Sequence, residues 1–152
     1  MEIITRHFGT LEVNEEEMIV FEHGLPGFPD DKKFIIIIDE TAENKFYCWL
    51  QSMDNGDVSL VLIDSFAVMP EYDPLIEEEE LKELSDGNVD VADLLVFSVA
   101  VIGANMADST INLKAPVVIN NRYKKGKQIV VNNENYDVRH NLEDCVKNEG
   151  RV

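Results

Sequence analysis

Three histidines (His7, His23, His140) and two cysteines (Cys48, Cys145) carry the most versatile side-chain chemistry in this sequence. A zinc site or a nucleophilic triad needs such groups at short fixed spacings or beside a base and an orienting acid. The histidines are isolated, with no HxH or HExxH pattern, and the cysteines lie far apart with no CxxC. There is no Gly-x-Ser-x-Gly, P-loop or dinucleotide fingerprint, and Gly24-x-x-Gly27 is too short for either glycine signature. Asp86-Gly87-Asn88-Val89-Asp90 misplaces the glycine of a calcium loop and lacks its terminal glutamate, so it reads as a helix-exit turn. Carboxylates are so numerous that neighbouring pairs carry no acid/base inference. The expectation is a protein without catalytic residues, metal or cofactor. His7 reads as outward on a strand, His23 as a loop hydrogen-bond donor and His140 as a tie at the domain's end. Cys48 reads as core and Cys145 as an incidental thiol.

The elements that position these residues are mostly strands. Residues 3–8 and 11–13 flank Gly9-Thr10 and predict a first hairpin. Residues 18–21 form a short strand. Pro26-Gly27 has the composition of a type II turn. Residues 34–38 are apolar and largely β-branched, so they predict a central strand, ended by Asp39 and Glu40. Residues 46–53 and 58–63 flank Asn55-Gly56, which predicts a type I′ hairpin. Strands follow at 94–101, 115–119 and 127–131, with a short one at 136–138. Residues 73–84 predict one short acidic helix. Pro74 suits a first turn, the glutamates suit the N-terminal dipole, and Glu78 can pair with Lys82. The fold class is all-β: an antiparallel, partly open barrel-like or sandwich domain over residues 1–142. Greek-key connections are favoured over a plain meander. A polar, frayed tail is expected at 143–152.

Composition narrows the partners. Among 152 residues, 30 acids face 13 Lys and Arg, a net charge of −17. Such a surface repels phosphate backbones and anionic membranes, so no direct nucleic-acid binding and no membrane docking are expected. The most apolar stretch, 94–104, is well short of the ~20 residues that span a bilayer. The N-terminus shows no basic region followed by an apolar run, and cysteine usage fits a reduced compartment, so a cytoplasmic protein is expected. The acidity is concentrated. Residues 71–93 hold ten acids (Glu71, Asp73, Glu77, Glu78, Glu79, Glu80, Glu83, Asp86, Asp90, Asp93) against Lys82 alone. This run is either a solvated face or an electrostatic docking face for a basic partner. Arg122, Lys124, Lys125 and Lys127 form the opposite pole.

Five blocks stand in order along the chain: Phe21-Glu22-His23-Gly24-Leu25-Pro26-Gly27-Phe28, Trp49-Leu50-Gln51-Ser52, Asn112-Leu113-Lys114-Ala115-Pro116-Val117-Val118-Ile119-Asn120, Lys125-Gly126-Lys127-Gln128 and Tyr136-x-x-Arg139-His140. Together they resemble the FliW family of flagellar assembly factors. The resemblance runs from Glu2 to Leu142. It departs at Asp64-Ser65-Phe66 and at residues 102–108, where the family often has proline.

The resemblance implies a non-enzymatic cytoplasmic regulator with two alternating partners. One is the C-terminal helical region of flagellin. The other is CsrA, a small basic RNA-binding dimer that represses flagellin translation until the free regulator captures it. Glu71, Asp73, Glu77, Glu78, Glu79 and Glu80 are the candidate CsrA-facing residues. Phe66, Met69 and Tyr72 flank the acidic run; Met69 and Tyr72 are the candidate flagellin contacts, with core packing an equal reading for both and the favoured reading for Phe66. The protein is expected to be a monomer. Pro26 and Gly27 are expected to shape a turn, Trp49 and Leu50 to lie in the core, and Asn112, Asn120 and Gln128 to bond strand ends. The alternative is a small-ligand-binding barrel, which needs an enclosed apolar cavity of ~300 Å³ or more.

Overall fold

The structure is a computed structural model and describes residues 1–38 and 47–149. Its strands are β1 (Glu2–Thr5), β2 (Gly9–Glu12), β3 (Ile19–Val20), β4 (Lys33–Ile37), β5 (Tyr47–Ser52) and β6 (Ser59–Asp64). They continue with β7 (Leu94–Val101), β8 (Thr110–Ile111), β9 (Val117–Asn120), β10 (Lys125–Gln128) and β11 (His140–Asn141). The helices are α1 (Ser65–Val68), α2 (Glu78–Glu83) and α3 (Leu142–Glu149). The sequence's strand ends at Asp39, Glu40 and Phe46 lie outside the described residues.

Strands β3 to β7 each pair antiparallel with the next. β7 pairs with β9, and β9 with β10. β10 then meets β3 through one parallel bridge, Lys125 to Val20. Seven strands therefore close into a barrel-like ring. The all-β expectation holds. The antiparallel barrel-like form holds as well, with the ring closed where partly open was expected and a single parallel bridge at its seam. The Greek-key expectation is corrected. The long connection from β6 returns to its neighbour β7, so the chain makes a closed meander rather than a crossover.

Alternation along each strand separates an interior from an outer face. The interior holds Phe21, Phe34, Leu50, Leu62, Val117 and Ile119, all fully buried in one cluster. The Phe21 and Phe34 rings meet edge to face at 5.0 Å. The outer face is covered by three separate pieces. The first hairpin lays Ile3, Leu11 and Val13 on Ile35 and Ile37. α1, Tyr72 and α3 cover Ile63 and Ala100. Leu84, with Leu81 and Ile76, covers Val118 and Val96.

Local expectations fare unevenly. At Pro26-Gly27 the type II turn is present: Gly27 has φ 86° and Phe28 N–H donates to the Leu25 carbonyl at 2.8 Å. At Asn55-Gly56 the type I′ reading fails, because Gly56 does not have positive φ. Asn55 instead starts the turn, its carbonyl accepting Val58 N–H at 3.1 Å. Glycine is required there because a Cβ would collide with the Ile4 carbonyl oxygen. The acidic helix begins at Glu78, not near Pro74. The Leu75 peptide groups bond Asn133 Oδ1 and Asn132 N–H instead, so tertiary pairing overrides local propensity. The frayed tail is corrected at its start. Asn141 Oδ1 accepts Asp144 N–H at 3.1 Å and caps α3, which buries Leu142 and Cys145.

Candidate functional site

The acidic run lies on the outside of the ring as a strap followed by α2. Its entry is α1, capped by Asp64 Oδ1 accepting Phe66 N–H at 3.0 Å. The strap is anchored by Tyr72, whose hydroxyl donates to the Leu113 carbonyl at 2.7 Å. Burial, with Tyr136 close by, raises the Tyr72 hydroxyl well above its ordinary range. Tyr136 lies 4.8 Å from the Tyr72 ring and accepts the Asp73 N–H at 2.9 Å. Asn133 accepts Leu75 N–H at 2.7 Å and donates to the Asp73 carbonyl at 2.8 Å. Asn132 Nδ2 donates to Glu77 Oε1 at 2.8 Å.

These contacts sort the candidate residues. Glu71, Asp73, Glu77, Glu78 and Glu79 are exposed. Glu80 is half-buried, 3.3 Å from Lys127 Nζ, which also lies 3.0 Å from Glu83. The Lys127 hydrogen bond holds the Glu83 carboxyl below its ordinary range. Burial opposes charge on Lys127, but its bonds to Glu83 and Glu80 prevail and raise it. Glu79 pairs with Lys82 at 3.9 Å, in place of the expected Glu78 pairing. Lys127, read as part of a separate basic pole, thus lies against the acidic helix. His23 Nε2 is 3.7 Å from Glu83 Oε2 at the same spot.

The apolar candidates change places. Tyr72 is only 3 % exposed, so of its two readings it takes the core one and anchors the strap, and it is corrected as a surface contact. Phe66, expected in the core, is 44 % exposed, with its ring 5.9 Å from Tyr72. Met69 is half-buried beside them. Cys145 is likewise corrected from tail thiol to core residue, 5 % exposed. Asp64 ahead of Ser65-Phe66 is the sequence signal for α1, because a carboxylate there accepts a first-turn N–H.

No reactive constellation forms from the histidines. His7 stacks on Trp49 at 5.4 Å, His23 faces Glu83, and His140 Nε2 accepts Asp137 N–H at 2.8 Å. Among the described residues no three metal-ligating side chains converge. Among the described residues the inside of the ring is packed with Phe21, Phe34, Leu50, Leu62, Val117 and Ile119. No helix among the described residues is long and apolar enough to cross a membrane.

Comparison with known families places this arrangement. The model of the FliW protein family matches residues 2–142. The chain belongs to the FliW family. A flagellar assembly factor FliW from Caldanaerobacter subterraneus subsp. tengcongensis is 40 % identical over 148 residues, covering 97 % of both chains. One from Thermoanaerobacter pseudethanolicus is 38 % identical, also with 97 % of each chain covered. A crystal structure of the flagellar assembly factor FliW superposes with a TM-score of 0.84 at 31 % identity, over 93 % of this chain and 96 % of that one.

The FliW-like sequence blocks are largely scaffold. Asn112 Oδ1 accepts the N–H groups of Lys114 and Ala115, and Asn120 Oδ1 those of Arg122 and Tyr123. Gln128 Nε2 donates to the Ala115 carbonyl at 2.9 Å. Gly126 admits the Phe21 ring to the core, since a Cβ there would lie 2.5 Å from Phe21 Cζ. Trp49 differs from expectation: it is half-buried on the outer face, beneath His7 and Phe8. Leu50 is interior, as read.

Proposed function

We propose that this FliW-family chain is a flagellar assembly factor that works by binding proteins, without catalysis or cofactor. In this reading it binds the C-terminal region of flagellin. When free of flagellin, it binds CsrA and relieves repression of flagellin synthesis. The observation that carries the reading is end-to-end similarity to relatives that bear the name flagellar assembly factor FliW. The protein acts as a cytoplasmic monomer.

The charge arrangement supports the CsrA half. Glu71, Asp73, Glu77, Glu78 and Glu79 stand exposed on a strap fixed by side-chain hydrogen bonds. A rigid negative face attracts a basic dimer at long range and raises the association rate. Glu80 is committed to Lys127 and contributes less. For flagellin, Met69 is retained and Phe66 joins it as the exposed apolar side chain, with Tyr72 supporting both from beneath. An amphipathic helix would use such apolar anchors.

The test is titration of the purified protein into CsrA, before and after saturation with the flagellin C-terminal segment. Tight binding that flagellin abolishes supports partner exchange. Binding that flagellin leaves unchanged removes the exchange, and no binding to either partner removes the proposed function.

A further inference from the structure

The turn between β5 and β6 holds a reactive pair that lies outside the partner surfaces proposed above. Asn55 precedes Gly56, the one Asn-Gly step in the sequence. Asn55 is exposed and Gly56 half-buried. Asn55 Oδ1 accepts the Asp57 N–H at 3.0 Å. That bond closes a ring that includes the Gly56 nitrogen and folds the Asn55 side-chain carbonyl back over its own following peptide. The Asp57 N–H also stands where negative charge grows when the Asn55 Cγ is attacked. Among the described residues the Gly56 N–H has no hydrogen-bond acceptor, so its nitrogen is uncommitted. Glycine adds no side chain to obstruct its approach.

We propose that Asn55 is a spontaneous deamidation site in the folded protein, and that the product loosens the N-terminal hairpin. The Gly56 nitrogen gives its proton to water and bonds to Asn55 Cγ. Water passes a proton to Nδ2, the Cγ–Nδ2 bond breaks and ammonia leaves, closing a succinimide. Water opens that ring at either carbonyl and leaves aspartate or isoaspartate at position 55. One water enters and one ammonia departs, with no oxidant or cofactor.

The hairpin is exposed to this change because it rests on Gly56. The Gly56 carbonyl accepts Arg6 N–H at 3.0 Å and Gln51 Nε2 at 3.3 Å. The Ile4 carbonyl fills the place a Gly56 side chain would take. Isoaspartate threads the main chain through the former Cβ and lengthens it at this tight crossing, so the Arg6 bond is lost.

The experiment ages the full-length protein at neutral pH, maps its peptides by mass spectrometry with isoaspartate-diagnostic fragmentation, and follows amide exchange. The expected result is a gain of about 1 Da on the Asn55 peptide ahead of every other asparagine. Protection at the Arg6 amide is lost in the aged fraction. Asn55→Gln, checked for native spectra before ageing, keeps both its mass and its Arg6 protection. An Asn55 that stays intact in folded protein while other asparagines convert overturns the site. Conversion at Asn55 with Arg6 protection unchanged overturns the coupling to the hairpin.

Discussion

Lys127 on β10 holds Glu83 on α2, with Nζ 3.0 Å from Oε2. Glu80 joins the same lysine, so part of the acidic run is balanced within the fold and the rest faces outward. The depressed Glu83 carboxyl sets the pH sign. Its contribution is present above the ordinary carboxylate range and fades as pH falls through the lowered value. Lys127→Ala should speed amide exchange in residues 78–83. It should cost no more than about 1 kcal/mol in urea unfolding, because the partners are largely solvent-screened.

Reversal of the outward acids should separate binding from stability. Lysine at Glu71, Asp73 and Glu78 together should slow CsrA association and flatten its salt dependence, with the unfolding midpoint nearly unchanged. Stopped-flow association at several salt concentrations reads this. Unchanged kinetics would remove the strap from the CsrA surface.

Tyr72 and Phe66 should respond oppositely to conservative probes. Tyr72→Phe leaves the buried Leu113 carbonyl without its donor and should cost about 1–3 kcal/mol. Phe66→Ser should stay within about 0.5 kcal/mol in stability, as exposed substitutions do, while weakening the flagellin segment in a titration.

Gly126→Ala should be among the more damaging small substitutions. The added methyl enters the Phe21 ring space in the filled interior. A loss of about 1–3 kcal/mol is expected by denaturation, with disturbed aromatic signals in near-UV circular dichroism.

Cys48 should behave as a protected thiol. Burial, aided by the Asp64 charge, pushes it from 9.0 to about 11. Because the folded state holds its proton more tightly, this contribution is full below pH 9.0 and is lost as pH rises to about 11. Thiol-reagent labelling at pH 8 should track global unfolding, and Cys48→Ala should remove this part of the alkaline slope.

Much of the barrel was legible because its strands announce themselves through β-branched runs and alternation. β7 matches its predicted span, and Pro26-Gly27 makes the expected turn. What failed depended on distant neighbours. Residues near Pro74 look helical locally, but Asn132 and Asn133 claim their peptide groups from far along the chain. Gly56 looks like a handed turn residue until the Ile4 carbonyl above it is seen. Tyr72 and Phe66 are both aromatic and adjoin the same acidic run, so sequence gave no means to rank their burial. The acidic residues were identifiable as a group, yet Lys127 is what divides them into paired and outward members.

The parallel bridge between Val20 and Lys125 gives the ring a kinetic asymmetry. The run from β3 to β6 assembles through shorter connections, and β7 joins it across the long acidic connection from β6. Joining β10 to β3 links segments from opposite ends of the ring and gains a single bridge. Closure should therefore come late in folding, after the transition state has set most of the meander. Substitutions at this junction should change the unfolding rate far more than the folding rate. Spontaneous opening of the native ring should begin at the same junction, read as faster amide exchange at Val20, which donates to the Lys124 carbonyl.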